Sequence, residues 1–377
     1  MNTNSIVTKD HKDAASYQKI QLLFSIISIS LNLFVPIIFF ISGASEKLRD
    51  FSNGIYNIFE ITVLIYLVFF CLLLLVIQFP IEFLSGFIIE KKFKLNKQSL
   101  KSWIWDWIKA SLMSNSFIIL IVLGIYWLLE NQQSFWWIWA SISLSVLIII
   151  FSALVPIFFL PLFYKFELLE EGELKTRLLK LAKKVGTNIE AVYVWHLGKK
   201  TSKSNAAVTG WGKTRRIIIS DTLIQTSTEK EIEVVMAHEL GHQVKKDIWK
   251  MILINIILIS LSFYLIHISL SHLIDLFNLK SISDIAGLPL IIFITAIISL
   301  LALPFSNWIS RKAEMTADLF ALKTTGMHDE FISAMNKLAD QNLSKKNPNA
   351  IIEFIFYSHP SISKRIMNAK KFKDLKN

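Results

Sequence analysis

Between positions 238 and 242 the chain reads His238-Glu239-Leu240-Gly241-His242. Residues four apart on an α-helix lie one above the other, so His238 and His242 can offer two imidazoles to one metal ion. Glu239 falls beside them, where its carboxylate reaches a water rather than the ion. A hydrolytic zinc site takes three protein ligands and keeps a fourth position open. The pair therefore needs a third side chain, from an element that packs against the same helix. The run Arg311-K-A-E-M-T-A-Asp318 offers the best candidate. Glu314 would be the third ligand, and Asp318, four residues further on the same face, would hold a ligand histidine in orientation. Taken alone, the two histidines could be hydrogen-bonded structural groups and 311–318 a solvated helix with an Arg311–Glu314 pair. Together they complete a ligand set for one Zn2+, and that reading is favoured.

The elements that must position these groups can be read from periodicity. Thr228 and Glu231 stand at the spacing of a capping box, and Ile232, Val235, Met236, Leu240 and Val244 then recur at helical intervals. The motif thus sits on a helix whose apolar stripe occupies a different side from the histidines. Leu174, Leu178, Leu181, Ala182 and Val185 mark an earlier amphipathic helix that ends at Gly186. The runs 191–195 and 216–220 are rich in branched and aromatic residues and predict strands, with 204–210 a shorter third. A small β-sheet therefore precedes the metal-binding helix.

Composition sets the surroundings. Of 377 residues, 53% are hydrophobic, too many for one soluble core. Six apolar runs, at about 20–42, 61–83, 111–129, 136–160, 251–268 and 288–308, are long enough to cross a bilayer. The expected fold class is mainly α, a polytopic membrane helical bundle of about six spans. The chain divides into 1–165, with four spans, and 166–377, which carries the candidate metal ligands, two further spans and a helical tail. Lys91, Lys92, Lys94, Lys97, Lys101 and Lys109 lie between the second and third spans, and 165–246 and the C-terminal tail are also basic. The loops on the other side carry few such residues, so both termini and the metal-binding region are expected in the cytosol. The net charge of +11 follows from this topology. No basic stripe is interleaved with aromatics, which argues against nucleic acid as a partner. The first apolar run exceeds the core of a signal peptide and predicts an uncleaved anchor. The lone Cys71 forms no intramolecular disulfide and no cysteine metal cluster.

With these motifs in place the chain resembles the membrane zinc endopeptidases of the CAAX prenyl protease type I group. The resemblance rests on H-E-x-x-H, the later E-x-x-x-D and the upstream Asn205-A-A-V-T-G. It is joined by Phe79-P-I-E-F, Ile89-E-K-K-F-K-L-N-K-Q-S-L, Pro161-L-F-Y-K-F-E, Asp221-T-L-I and Ser358-H-P-S-I-S-K-Arg365. It implies a zincin-like catalytic domain containing the small sheet, one Zn2+ on His238, His242 and Glu314, and Glu239 as general base and proton shuttle. It further implies that Asn205, on an edge strand, holds the substrate backbone, and that His359 and Arg365 face the site to bind substrate or stabilise the oxyanion. Peptide or protein substrates, lipidated or membrane-tethered, and the lipid bilayer would be the partners. The membrane would be a bacterial inner membrane, or the ER membrane in a eukaryote.

Some positions depart from the family pattern. Eukaryotic members often carry a further His after H-E-x-x-H where this chain has Asp247, and a His and an aromatic around the Asn where it has Lys203 and Ala207. They are described with seven spans against the six counted here. The departures leave the hydrolytic centre intact and keep open an HtpX-like membrane-protein quality-control protease. A catalytically silent membrane scaffold is a third reading, disfavoured by the intact Glu239. A transporter is weaker still, because no span carries a chain of acidic residues.

Overall fold

The computed structural model describes residues 3–374. Helix α1 (Thr3–Ile41) is followed by a short amphipathic α2 (Ala44–Ile55). Helix α3 (Phe59–Phe83) passes through a wider π-helical stretch, Leu84–Ile89, into α4 (Glu90–Lys92). Two more long helices follow, α5 (Leu100–Asn131) and α6 (Trp136–Leu154). Strand β1 (Phe166–Leu168) then leads to α7 (Glu173–Lys184), β2 (Ala191–Trp195), β3 (Ala206–Thr209) and β4 (Arg216–Ser220). The chain continues as α8 (Asp221–Thr226), α9 (Glu229–Val244), α10 (Asp247–Phe277) and α11 (Leu288–Thr325). Three helices end it: α12 (His328–Gln341), α13 (Ala350–Phe356) and α14 (Ile362–Asp374).

Six helical stretches are long and apolar enough to cross a membrane, the number expected from the sequence. They outrun the apolar runs themselves; the last extends over Ile285–Thr325. A hydrogen-bonded helix does not stop where hydropathy does, because its backbone groups stay satisfied as it leaves the lipid. As a result the last span and the run 311–318 form one continuous rod. Val76, Leu112, Leu120 and Leu301 point outward and are more than half exposed, as a lipid-facing surface requires. Between the helices Val63, Tyr66, Phe70, Leu129, Trp136, Ile266 and Leu288 form a buried core.

A second core lies within residues 166–377. Leu178 and Ala182 of α7, Val192, Ile217 and Ile219 of the sheet, Ile232, Met236 and Leu240 of α9 and Ala321 of α11 are all buried together. The sheet has the order β1-β2-β4-β3, with β2 and β4 parallel and the outer pairs antiparallel. Strand β3 is thus an edge, in register with β4 through Ala206↔Ile219 and Val208↔Ile217. Strands β2, β3 and β4 fall where the sequence predicts them. Strand β1, three residues long, carries too little periodicity to be read beforehand.

Candidate metal centre

The start of α9 is fixed by the expected capping box. The Thr228 hydroxyl accepts from the Glu231 N–H, and the Glu231 carboxylate accepts from the Thr228 N–H at 2.7 Å. Glu231 also takes hydrogen bonds from Ser333 and Lys337 of α12, at 2.6 and 2.7 Å, which anchors the helix end. One turn before the end of α9, Gly241 lies against α11. A Cβ there would sit 3.1 Å from Phe320 Cδ1 and 3.3 Å from the Ala317 Cα. With Ala317 and Ala321 also small and buried, the two helices come close enough for short side chains to meet.

What meets there is the set proposed from sequence. The His238 and His242 Nε2 atoms are 3.2 Å apart. Glu314 Oε2 lies 3.3 Å from His238 Nε2, and Oε1 lies 3.3 Å from His242 Nε2. Among the described residues this is the group of three side chains able to hold a metal. Four ligands placed tetrahedrally at zinc distances stand about 3.3 Å from one another, so the observed triangle fits such an ion. Two imidazoles also disfavour magnesium and calcium, which prefer oxygen. The Oε2 atom of Glu314 is buried with no hydrogen bond, although His359 Nδ1 is 3.0 Å away. Three converging electron pairs and an unsatisfied buried carboxylate oxygen ask for a cation.

Each imidazole is backed by an acid. His238 Nδ1 is 2.9 Å from Asp318 Oδ1. Asp318 is itself gripped by Arg365 of α14, through Nε at 2.8 Å and Nη2 at 2.5 Å. His242 Nδ1 is 3.0 Å from Asp247 Oδ2. Burial alone would lower the pKa of His238, but its hydrogen bonds to Asp318 and Glu314 raise it to about 9. Glu239 is raised above the usual carboxylate value by burial, against the pull of the two histidines.

The remaining expected residues surround this centre. His359 is 65% exposed and stands over Glu314. The end of α13, from which its loop departs, is tied to α11 by Arg311, which donates to the Glu353 and Tyr357 carbonyls, and by Asn307, which donates to the Ile355 carbonyl at 2.6 Å. Arg311 therefore forms no pair with Glu314. Arg365 is buried, its Nη2 3.3 Å from His238 Nδ1. Asn205 is exposed just before β3, and its side chain accepts the Ala206 N–H at 2.8 Å. Residues missed from sequence border the same edge strand. Gln243 donates to the Val208 carbonyl at 3.2 Å, and Asn342 accepts the Ser204 N–H at 3.1 Å. Gln243 adjoins the motif, but nothing in its neighbours signals a strand partner. A cavity of about 900 Å³ opens beside His359 and Arg365, reaching Tyr17 and Gln21 of α1, Glu90 and Lys203.

Peptidase family M48 matches residues 168–373, more than half of the chain. The protein is a member of peptidase family M48. The CAAX prenyl protease N-terminal family, described by five membrane helices, matches residues 3–165 of this M48 peptidase. There it has four span-length helices and the short α2. A metalloprotease of Bacillus subtilis, YhfN, is 27% identical over 95% of this chain and 85% of its own. CAAX prenyl protease 1 of Saccharomyces cerevisiae is 31% identical, covering 77% of this chain and 68% of its own. The crystal structure of S. mikatae Ste24p superposes with a TM-score of 0.84 at 28% identity, over 95% and 88% of the two chains. This M48 peptidase is accordingly a multi-pass membrane metalloprotease of the CAAX prenyl protease-like family, and it uses a metal cofactor.

Proposed function

We propose that the protein is a zinc endopeptidase in which His238, His242 and Glu314 bind one ion and Glu239 is the general base. The observation that carries this is the 3.2–3.3 Å triangle of ligand atoms with Glu239 next in sequence on the same helix. Once bound, zinc would supply Lewis acidity, making water a competent nucleophile near neutral pH and polarising the scissile carbonyl. The chain's own groups do the rest. Glu239, in a partly desolvated position, accepts a proton from water as it attacks the peptide carbonyl, and returns that proton to the leaving amine. His359, exposed over the centre, donates to the oxygen that gains charge. Arg365 holds Asp318, and through it His238, while its cationic head adds to the positive field at the site. Asn205 and the edge of β3 align the substrate backbone by strand addition.

Substrates are proteins with a lipidated or membrane-tethered end. The support is positional: on α11 the apolar run ends at about residue 308, less than two turns before Glu314, and the 900 Å³ cavity adjoins both the centre and α1. CAAX prenyl protease 1 of yeast is a relative, which favours prenylated C-termini among such ends. The basic loops favour a cytosolic centre. We divide the chain functionally into 1–165, which seats it in the membrane, and 166–377, which does the chemistry.

The test is cleavage of matched soluble, lipid-anchored and prenylated peptides by the purified full chain, with Glu239→Gln as the blank. Faster turnover of anchored peptides, absent in the blank, is expected. Equal turnover of all three would remove the substrate assignment, and unchanged turnover by the Glu239→Gln protein would remove the mechanism.

A further inference from the structure

We infer that Asp247 is a positioning residue for His242, fixing the imidazole whose Nε2 joins the metal centre; this rests on the peptidase reading above. Asp247 opens α10, immediately after Lys246, whose φ of 56° turns the chain sharply out of α9. The turn brings the carboxylate back under the helix it follows. Its Oδ2 lies 3.0 Å from His242 Nδ1, and its Oδ1 takes the Lys250 ammonium at 2.8 Å. The residue is only 5% exposed, although its flanking positions face solvent.

A different role is available to an acid at such a place. Carboxylates in the first turn of a helix are stabilised by its dipole and by free backbone N–H groups. Among the described residues, however, neither oxygen of Asp247 accepts a backbone N–H; both are directed to side chains. The geometry also repeats the arrangement on the other ligand, where Asp318 stands 2.9 Å from His238 Nδ1. An acid at Nδ1 holds the proton on that nitrogen and leaves the Nε2 lone pair for the ion. His238 is further enclosed by Arg365 and its surroundings. His242 sits at the rim, with 19% of its side chain exposed, and depends more on a single partner for its direction. The fifth span, α10, therefore starts with a group that orients the metal centre, so the membrane helix and the ligand are coupled through one turn.

The experiment measures zinc affinity by chelator competition on the detergent-solubilised full chain, together with the visible spectrum of the cobalt-loaded protein and the melting temperature of the ion-free protein. Asp247→Ala should bind zinc about 10- to 100-fold more weakly and shift the cobalt bands, with the ion-free melting temperature close to that of the parent. Asp247→Asn, which keeps the volume and loses the charge, should weaken binding in the same direction by less, and it carries the test should the alanine protein not fold. Parental affinity and an unshifted cobalt spectrum in either folded variant would overturn the inference. So would a lowered ion-free melting temperature with affinity unchanged, because that is the signature of a helix-start role. Absence of stoichiometric zinc binding in the parent would instead overturn the peptidase reading itself.

Discussion

At the scale of single residues, the centre is defined by which atoms are satisfied by protein and which are not. His238 and His242 each have an acid at Nδ1, whereas their Nε2 atoms face one another and Glu314 with no protein donor between them. Replacing Glu239 by Gln should leave this set intact. We expect turnover to fall by about 10²–10⁴-fold with zinc content unchanged, read by peptide cleavage and metal analysis on the same sample. Asp318 is a different case, because it is shared by His238 and Arg365. Asp318→Ala removes the partner of a buried guanidinium, a loss of about 3–5 kcal/mol, so a lowered melting temperature should accompany weaker zinc binding. A variant that binds less zinc but melts like the parent would show that Arg365 finds another partner.

At the scale of elements, the account turns on the closeness of α9 and α11. Gly241 is needed because a methyl group there meets both a ring and the backbone of α11. Gly241→Ala should cost about 1–3 kcal/mol and lower zinc affinity by separating Glu314 from the histidines; an unchanged affinity would mean that the helices do not set the ligand spacing. Much of this element scale was legible in the sequence. The capping box at Thr228, the apolar stripe of α9 and the four-residue spacing of His238 and His242, and of Glu314 and Asp318, are local patterns and survive folding. What could not be read are contacts set by the path of the chain. Asp247 reaches His242 because Lys246 adopts a left-handed turn, Gln243 reaches Val208 because α9 packs on β3, and Asn342, just past α12, reaches Ser204 ahead of that strand. The Arg311–Glu314 pair of the disfavoured solvated-helix reading does not form, because the distant Glu353 and Tyr357 carbonyls claim Arg311.

At the scale of the whole molecule, hydropathy alone gave six spans, since the bilayer demands a minimum apolar length irrespective of packing. The peptidase core and the membrane core remain separate clusters, joined by α10, which begins beside the metal centre, and α11, which carries Glu314 through it. From the distribution of basic residues we expect the metal-centre side to face the cytosol. With Cys71 replaced by Ser, a cysteine at exposed Lys245 should be labelled from the cytosolic side and one at exposed Gln133 from the opposite side by an impermeant maleimide. Labelling of both from one side would contradict the arrangement of the four N-terminal spans.

The account stands on Glu314 sharing an ion with two histidines that lie more than seventy positions earlier in the chain. Metal content of the purified full chain, set beside that of Glu314→Ala, tests this directly. One zinc per parental chain and little in the variant is the predicted result. A parental protein without stoichiometric zinc, or a variant that retains it fully, would contradict the account.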